Sequence, residues 1–263
     1  MSRVVSAEVF KLRHCKILWT VPVLFFVSGF YLATLDFPVY ELYNGLALFA
    51  LPTLAHQFLA IAAVTLTGYV IGLDFTHGTI RNTLSTGVGR TCYFFSRLGV
   101  VMLLLAGLYL LSMLGYVLGH LPVLQQLFGN EILSGSRPEI ELFGSKLAIC
   151  TLFSILQLCA YASVFNAACY FVRKQLPVMT GGIALLIAEQ MLGQLADRYH
   201  ITYTRLLFDY APVKVLKNTF EVYAIHDKIL TLGFLKFGFS ALFIIIASSA
   251  IGFVKFRYCS ENT

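Results

Sequence analysis

Charge is what this 263-residue chain has least of, since only 12% of its residues are Asp, Glu, Lys or Arg. Soluble domains carry about a quarter. Hydrophobic residues make up 58% and the mean hydropathy is +0.79, so one integral-membrane domain is expected over residues 1–263. Also absent is any G-x-x-x-x-G-K-[ST] loop, which excludes a self-sufficient ATPase. His14, His56, His77, His120, His200 and His226 are scattered, with no H-E-x-x-H or paired ligand spacing, so no metal site is expected. No basic patch is interleaved with stacking aromatics, and the net charge of +6 therefore does not point to nucleic acid. Close cysteine pairs are missing too. Cys150, Cys159 and Cys169 share one apolar run, while Cys15, Cys92 and Cys259 fall in segments expected to face the reducing cytoplasm; all six read as free thiols. The first apolar run has no small-residue cleavage site, so a removable signal peptide is not expected.

What the chain has instead is long apolar runs. Six spans are expected near residues 17–35, 51–73, 98–118, 147–172, 176–195 and 229–254, each about the 20 residues a bilayer requires. Residues 1–16 interleave Arg3, Glu8, Lys11, Arg13 and Lys16 with Val4, Val5, Val9, Phe10 and Leu12, as in an interfacial helix with its basic side toward anionic lipid. Arg81, Arg90, Arg97, Arg173, Lys174, Lys255 and Arg257 fall with this segment on one side of the predicted spans, and the short loops of the other side hold mostly acids. The positive-inside bias then places both termini in the cytoplasm.

The segment 74–97, DFTHGTIRNTLSTGVGRTCYFFSR, stands between the second and third spans. A short surface helix is expected there, with Thr76 as its cap, Ile80, Leu84 and Val88 recurring at i+4, and Gly87 ending it. That apolar ridge, flanked by Arg81, Asn82 and Ser85, is what a docking helix needs. A membrane exit followed by D-F-x-x-G-T-I-R-x-x-L, a small-residue turn and two further basic residues resembles the coupling loop of type-2 ATP-binding-cassette (ABC) permeases. The matching residues are Asp74, Phe75, Gly78, Thr79, Ile80, Arg81, Leu84, Gly87, Arg90 and Arg97. The opening segment with Glu8 and Lys11, the six spans, and a long fifth outer loop containing Tyr210-Ala211-Pro212 agree with that family. The short permeases of Gram-positive bacteria that serve antimicrobial- or toxin-peptide export, immunity and bacitracin-type resistance are the most similar.

That resemblance implies an all-α integral-membrane fold with an N-terminal interfacial helix, a cytoplasmic coupling helix and short outer helices between spans five and six. It implies a non-enzymatic permease subunit in the bacterial cytoplasmic membrane that conducts a peptide or amphipathic substrate. ATP and Mg would be bound by a separate ATPase subunit, with a second permease, identical or related, completing the path. An intramembrane protease-like enzyme and a peptide-sensing immunity protein that does not transport are the alternatives.

Two ionisable residues lie within spans. Glu189 and Lys236 sit roughly 9–11 Å below the outer boundary on consecutive antiparallel helices, a depth match that permits an ion pair. Either they line a substrate path, or they are a packing pair with Lys236 snorkelling outward. Gly238-Phe239-Ser240 has the look of a serine-hydrolase fragment, but no intramembrane histidine stands at a plausible position, and small residues at a helix contact explain it better. The segment 196–228 is too polar to span. Near-helical spacing at 199–208 and 213–223, broken at Pro212, predicts two short outer helices, with Tyr210 and Pro212 at a gate. The topology has a direct test. In intact cells a Ser136→Cys thiol is expected to react with an impermeant maleimide while Cys92 stays protected, and the reverse pattern would invert the orientation.

Overall fold

The computed structural model describes residues 16–35, 53–128, 138–199 and 232–258. These form helices joined by short turns, with no strand among them. In chain order they are α1 (Lys16–Leu35), α2 (Thr53–Thr67), a π-helical turn (Gly68–Gly72), α3 (Leu73–Thr76), α4 (Thr79–Ser85), α5 (Arg90–Phe128), α6 (Pro138–Val172), α7 (Gln175–Tyr199) and α8 (Leu232–Tyr258). Four stretches are long and apolar enough to cross a membrane: Gln57–Thr76, Arg90–Gly119, Thr151–Val172 and Gly238–Tyr258. Thr20–Ala33 in α1 and Gln175–Glu189 in α7 are shorter apolar segments. The described chain is thus all-α, with four helices able to span a bilayer.

Helix bounds depart from the sequence expectation at the loops. α5 begins at Arg90 rather than Leu98, so residues 90–97 are helix and not loop. It also runs past Gly119 and through Pro122 to Phe128, and α6 starts at Pro138 rather than Leu147. Residues 119–128 and 138–146, which lie outside the expected spans, are therefore helical. Proline removes one backbone bond and strains one turn, and a long cooperative helix on either side carries it through.

Close backbone approach sets two helix pairs. Gly29 of α1 lies against the carbonyl of Ser112 on α5, and Gly115 of α5 lies against the carbonyl of Phe26 on α1. Gly119 meets Ala33 and Phe30 one turn on, so α1 and α5 run parallel. Without a hydrophobic drive between helices in lipid, such small-residue contacts are what hold spans together. The second pair is α6 with α8. Ser248 Oγ bonds Ser163 Oγ at 2.7 Å, Gly252 abuts Ala167, and Lys255 lies over the Phe171 ring, which again is a parallel register. Gly238 sits against Phe153 in the same seam, the helix-contact role expected for it. α7 runs against α2 and the π-helical turn, where Gly182 meets Val64 and Gly72 meets Gln175. Arg90 Nη1 donates to the Arg257 carbonyl at 3.3 Å, which puts the start of α5 beside the end of α8. Residues 76–90, the α6–α7 turn and the end of α8 therefore share one end of the bundle.

The aromatic core sits just above that end. Phe94 packs on Tyr170 at 5.0 Å and Phe253 at 5.6 Å, and Tyr170 on Phe256 at 4.9 Å. Cys159 and Cys169 are free thiols of α6, as is Cys92 of α5, in agreement with the sequence expectation for these three. Gly115→Val forces a side chain into a backbone carbonyl, and an overpacking cost of at least about 1–3 kcal/mol follows. Its thermal midpoint in detergent is expected to fall, whereas Gly107→Val, which opens onto space, is expected to match wild type.

Candidate functional site: the α3–α5 loop

The loop is built from a carboxylate that has left solvent. Asp74 in α3 and Arg97 in α5 are 7% and 3% exposed, and charges so buried persist only when paired. They are paired with each other through Arg97 Nη2 and Asp74 Oδ2. Tyr93, one turn before Arg97, donates its hydroxyl to the same oxygen at 2.6 Å. Thr79, the first residue of α4, donates its hydroxyl to Asp74 Oδ1 at 2.6 Å. Both carboxylate oxygens are therefore occupied by donors from two other elements. The Arg97 guanidinium also lies 5.4 Å from the centre of the Tyr93 ring, within cation–π reach.

Around this centre the loop residues divide into two faces. Phe75 packs edge-on against Tyr170 at 5.4 Å. Ile80, Leu84 and Val88 are half-buried and lie on the hydrophobic core of the same chain. The opposite face exposes Thr76, His77, Arg81, Asn82, Ser85 and Thr86. The expected ridge is real, but the chain's own core occupies it and the outward face is polar. Helical periodicity reports that one side is apolar without reporting what that side meets.

Two further expectations about this helix are corrected. Thr76 does not cap it: its hydroxyl donates back to the Gly72 carbonyl at 3.0 Å, and the cap position belongs to Gly78 in the left-handed region at φ 64°. A β-carbon is disfavoured there, which is the physical content of the glycine in G-T-I-R. Val88 lies beyond the helix, which ends at Ser85. Gly87 does end it as expected, with φ 84° and its N–H donating to the Leu84 carbonyl at 3.2 Å. Ser85 and Thr86 hydroxyls bond back to the Asn82 and Thr83 carbonyls, so side chains satisfy groups that seven residues of helix cannot.

Arg90 stands at the start of α5, where it holds the end of α8. The second polar spot lies apart from the loop. Glu189 of α7 accepts the Tyr161 hydroxyl on both carboxylate oxygens, at 3.0 and 3.1 Å. Lys236 belongs to α8, and its side chain lies outside the described ones, as do Glu8, Lys11, Tyr210, Pro212 and the two expected outer helices. Sequence reading missed Tyr93 and Tyr161. Tyr93 carried a signal, since it stands four residues before Arg97 and hence on the same helix face; Tyr161 carried none.

No protein-family model matches the chain, and no curated protein matches it.

Removing one member of a buried pair leaves the other uncompensated, at a cost of about 3–5 kcal/mol. Asp74→Ala is accordingly expected to lower thermal stability strongly, and Asp74→Ala with Arg97→Met to recover much of the loss. Equal stability of the two variants, read by circular dichroism on heating, would contradict the pairing.

Proposed function

We propose that the chain is the transmembrane subunit of an ATP-driven exporter of the ABC type, conducting a peptide or amphipathic substrate. A separate ATPase subunit binds ATP and Mg, and a second permease, identical or related, completes the path. Both termini lie on the cytoplasmic side of a six-span topology in a bacterial membrane. The observation that carries this reading is α4. A short helix with a polar outer face stands between two helices long and apolar enough to cross a membrane and is tied through Asp74 to the first turns of the second. Such an element suits the transmission of a push. Nucleotide binding acts by favouring one of two arrangements of the spans, through differential affinity of the ATPase pair for them.

The orientation of α4 refines what the partner must offer. With Ile80 and Leu84 turned inward, recognition falls to Thr76, His77, Arg81, Asn82 and Ser85. The cognate groove is polar or acidic. Leu84→Asp therefore unseats α4 from its own chain, while Arg81→Glu alters the presented face.

Tagged full-length protein purified from native membranes is expected to bring down a polypeptide that hydrolyses ATP. Arg81→Glu is expected to weaken that association at least tenfold, as like-charge juxtaposition costs several kcal/mol, with membrane insertion unchanged. Recovery of the protein without an ATPase from membranes where both are made would overturn the proposal.

A further inference from the structure

The loop end of the bundle carries two sets of cations with different surroundings. On α4 Arg81 is exposed, as are Asn82, Ser85 and Thr86. At the α6–α8 seam the neighbours differ. Phe171 and Val172 close α6 and are exposed, as are Val254 and Tyr258 on α8. Between them Lys255 Nζ lies 5.2 Å from the centre of the Phe171 ring. Arg173 and Lys174, both exposed, follow immediately. Arg173 adopts a left-handed φ of 56° and its N–H still donates to the Cys169 carbonyl at 2.9 Å, which turns the chain sharply just before Lys174, three residues beyond Phe171.

Among the described residues the acid at this end is Asp74, and Arg97 already neutralises it. Several positive charges thus gather where exposed apolar rings meet the end of two helices. That mixture is the chemistry of a headgroup boundary: acyl chains cover Phe171 and Val254, and a phosphate offsets the cations. A soluble acidic protein suits the α4 face, which offers it no exposed apolar side chain to cover.

We propose that the α6–α8 seam is a binding site for an anionic phospholipid, its phosphate held by Lys174 and Lys255 and its chains against Phe171 and Val254. This goes beyond the general preference of basic loops for a negative membrane surface, because it assigns one seam and two lysines. It does not depend on the exporter reading.

The experiment is native mass spectrometry of the purified full-length protein titrated with phosphatidylglycerol or phosphatidylcholine. Wild type is expected to retain phosphatidylglycerol preferentially, and its thermal midpoint to rise with that lipid and not with phosphatidylcholine. At about fivefold per lysine, Lys174→Gln with Lys255→Gln is expected to weaken retention roughly thirtyfold. Lys255→Arg, which keeps the charge over the ring, and Arg81→Gln on α4 are both expected to bind as wild type. Equal retention of the two lipids by wild type would overturn the proposal, as would unchanged phosphatidylglycerol affinity in the double variant. So would an equal loss in Arg81→Gln, which would mean diffuse charge in place of a lipid site.

Discussion

A carboxylate and a guanidinium buried side by side govern the loop end of this protein. Asp74 and Arg97 come from different helices, and leaving either charge unpaired in so little solvent would be costly. Their attraction is augmented by Tyr93 and Thr79, so the carboxylate is saturated by donors from α4 and α5. Burial of a pair is weak grounds for expecting net stability. What it supplies here is position: α3, α4 and α5 meet at one atom group, and a displacement of any of them is felt by the other two.

α4 depends on that constraint more than any other element. It has seven residues, and isolated helices shorter than about 12–15 residues are marginal in water. Gly78 and Gly87 provide its ends, the hydroxyl bonds of Thr83, Ser85 and Thr86 occupy its carbonyls, and Ile80 and Leu84 fasten it to the core. The π-helical turn just before α3 adds to this design. It widens the helix where Gly72 meets the start of α7, and π turns of this kind recur at functional sites. Small-residue seams then connect α5 to α1, and α6 to α8, with backbone nearly in contact. A motion entering through α4 has rigid, closely packed neighbours to act on, as the proposed exporter requires.

Much of this was legible in the residue order, and the rest fails for identifiable reasons. Long apolar runs announce helices that can cross a membrane, because bilayer thickness and helix rise together set their length. Gly87 was readable as a helix end, since glycine is the residue that takes a left-handed turn without strain. The inward turn of Ile80 and Leu84 was not readable, for a period of 3.6 marks a face and leaves its neighbour open. Thr76 has the chemistry of a cap, yet the helix before it runs on and claims its hydroxyl, leaving the cap to Gly78. Arg97 counted as a loop cation because charge statistics group it with Arg81 and Arg90, whereas α5 begins early enough to carry it inside. Glu189 stands out in the sequence as an ionisable residue within a predicted span, depth-matched to Lys236, whereas its Tyr161 partner comes from a contact between α6 and α7 that no spacing encodes.

The central claim is that Asp74 holds α4 in place, and amide hydrogen exchange over residues 79–85 in lipid addresses it most directly. In wild-type protein these amides are expected to exchange at least tenfold more slowly than in an unstructured chain, through the opening energy of a packed local unit. In Asp74→Asn they are expected to exchange as an unstructured chain does, with α6 and α8 unchanged. Protection of residues 79–85 that is the same in both proteins would contradict the account.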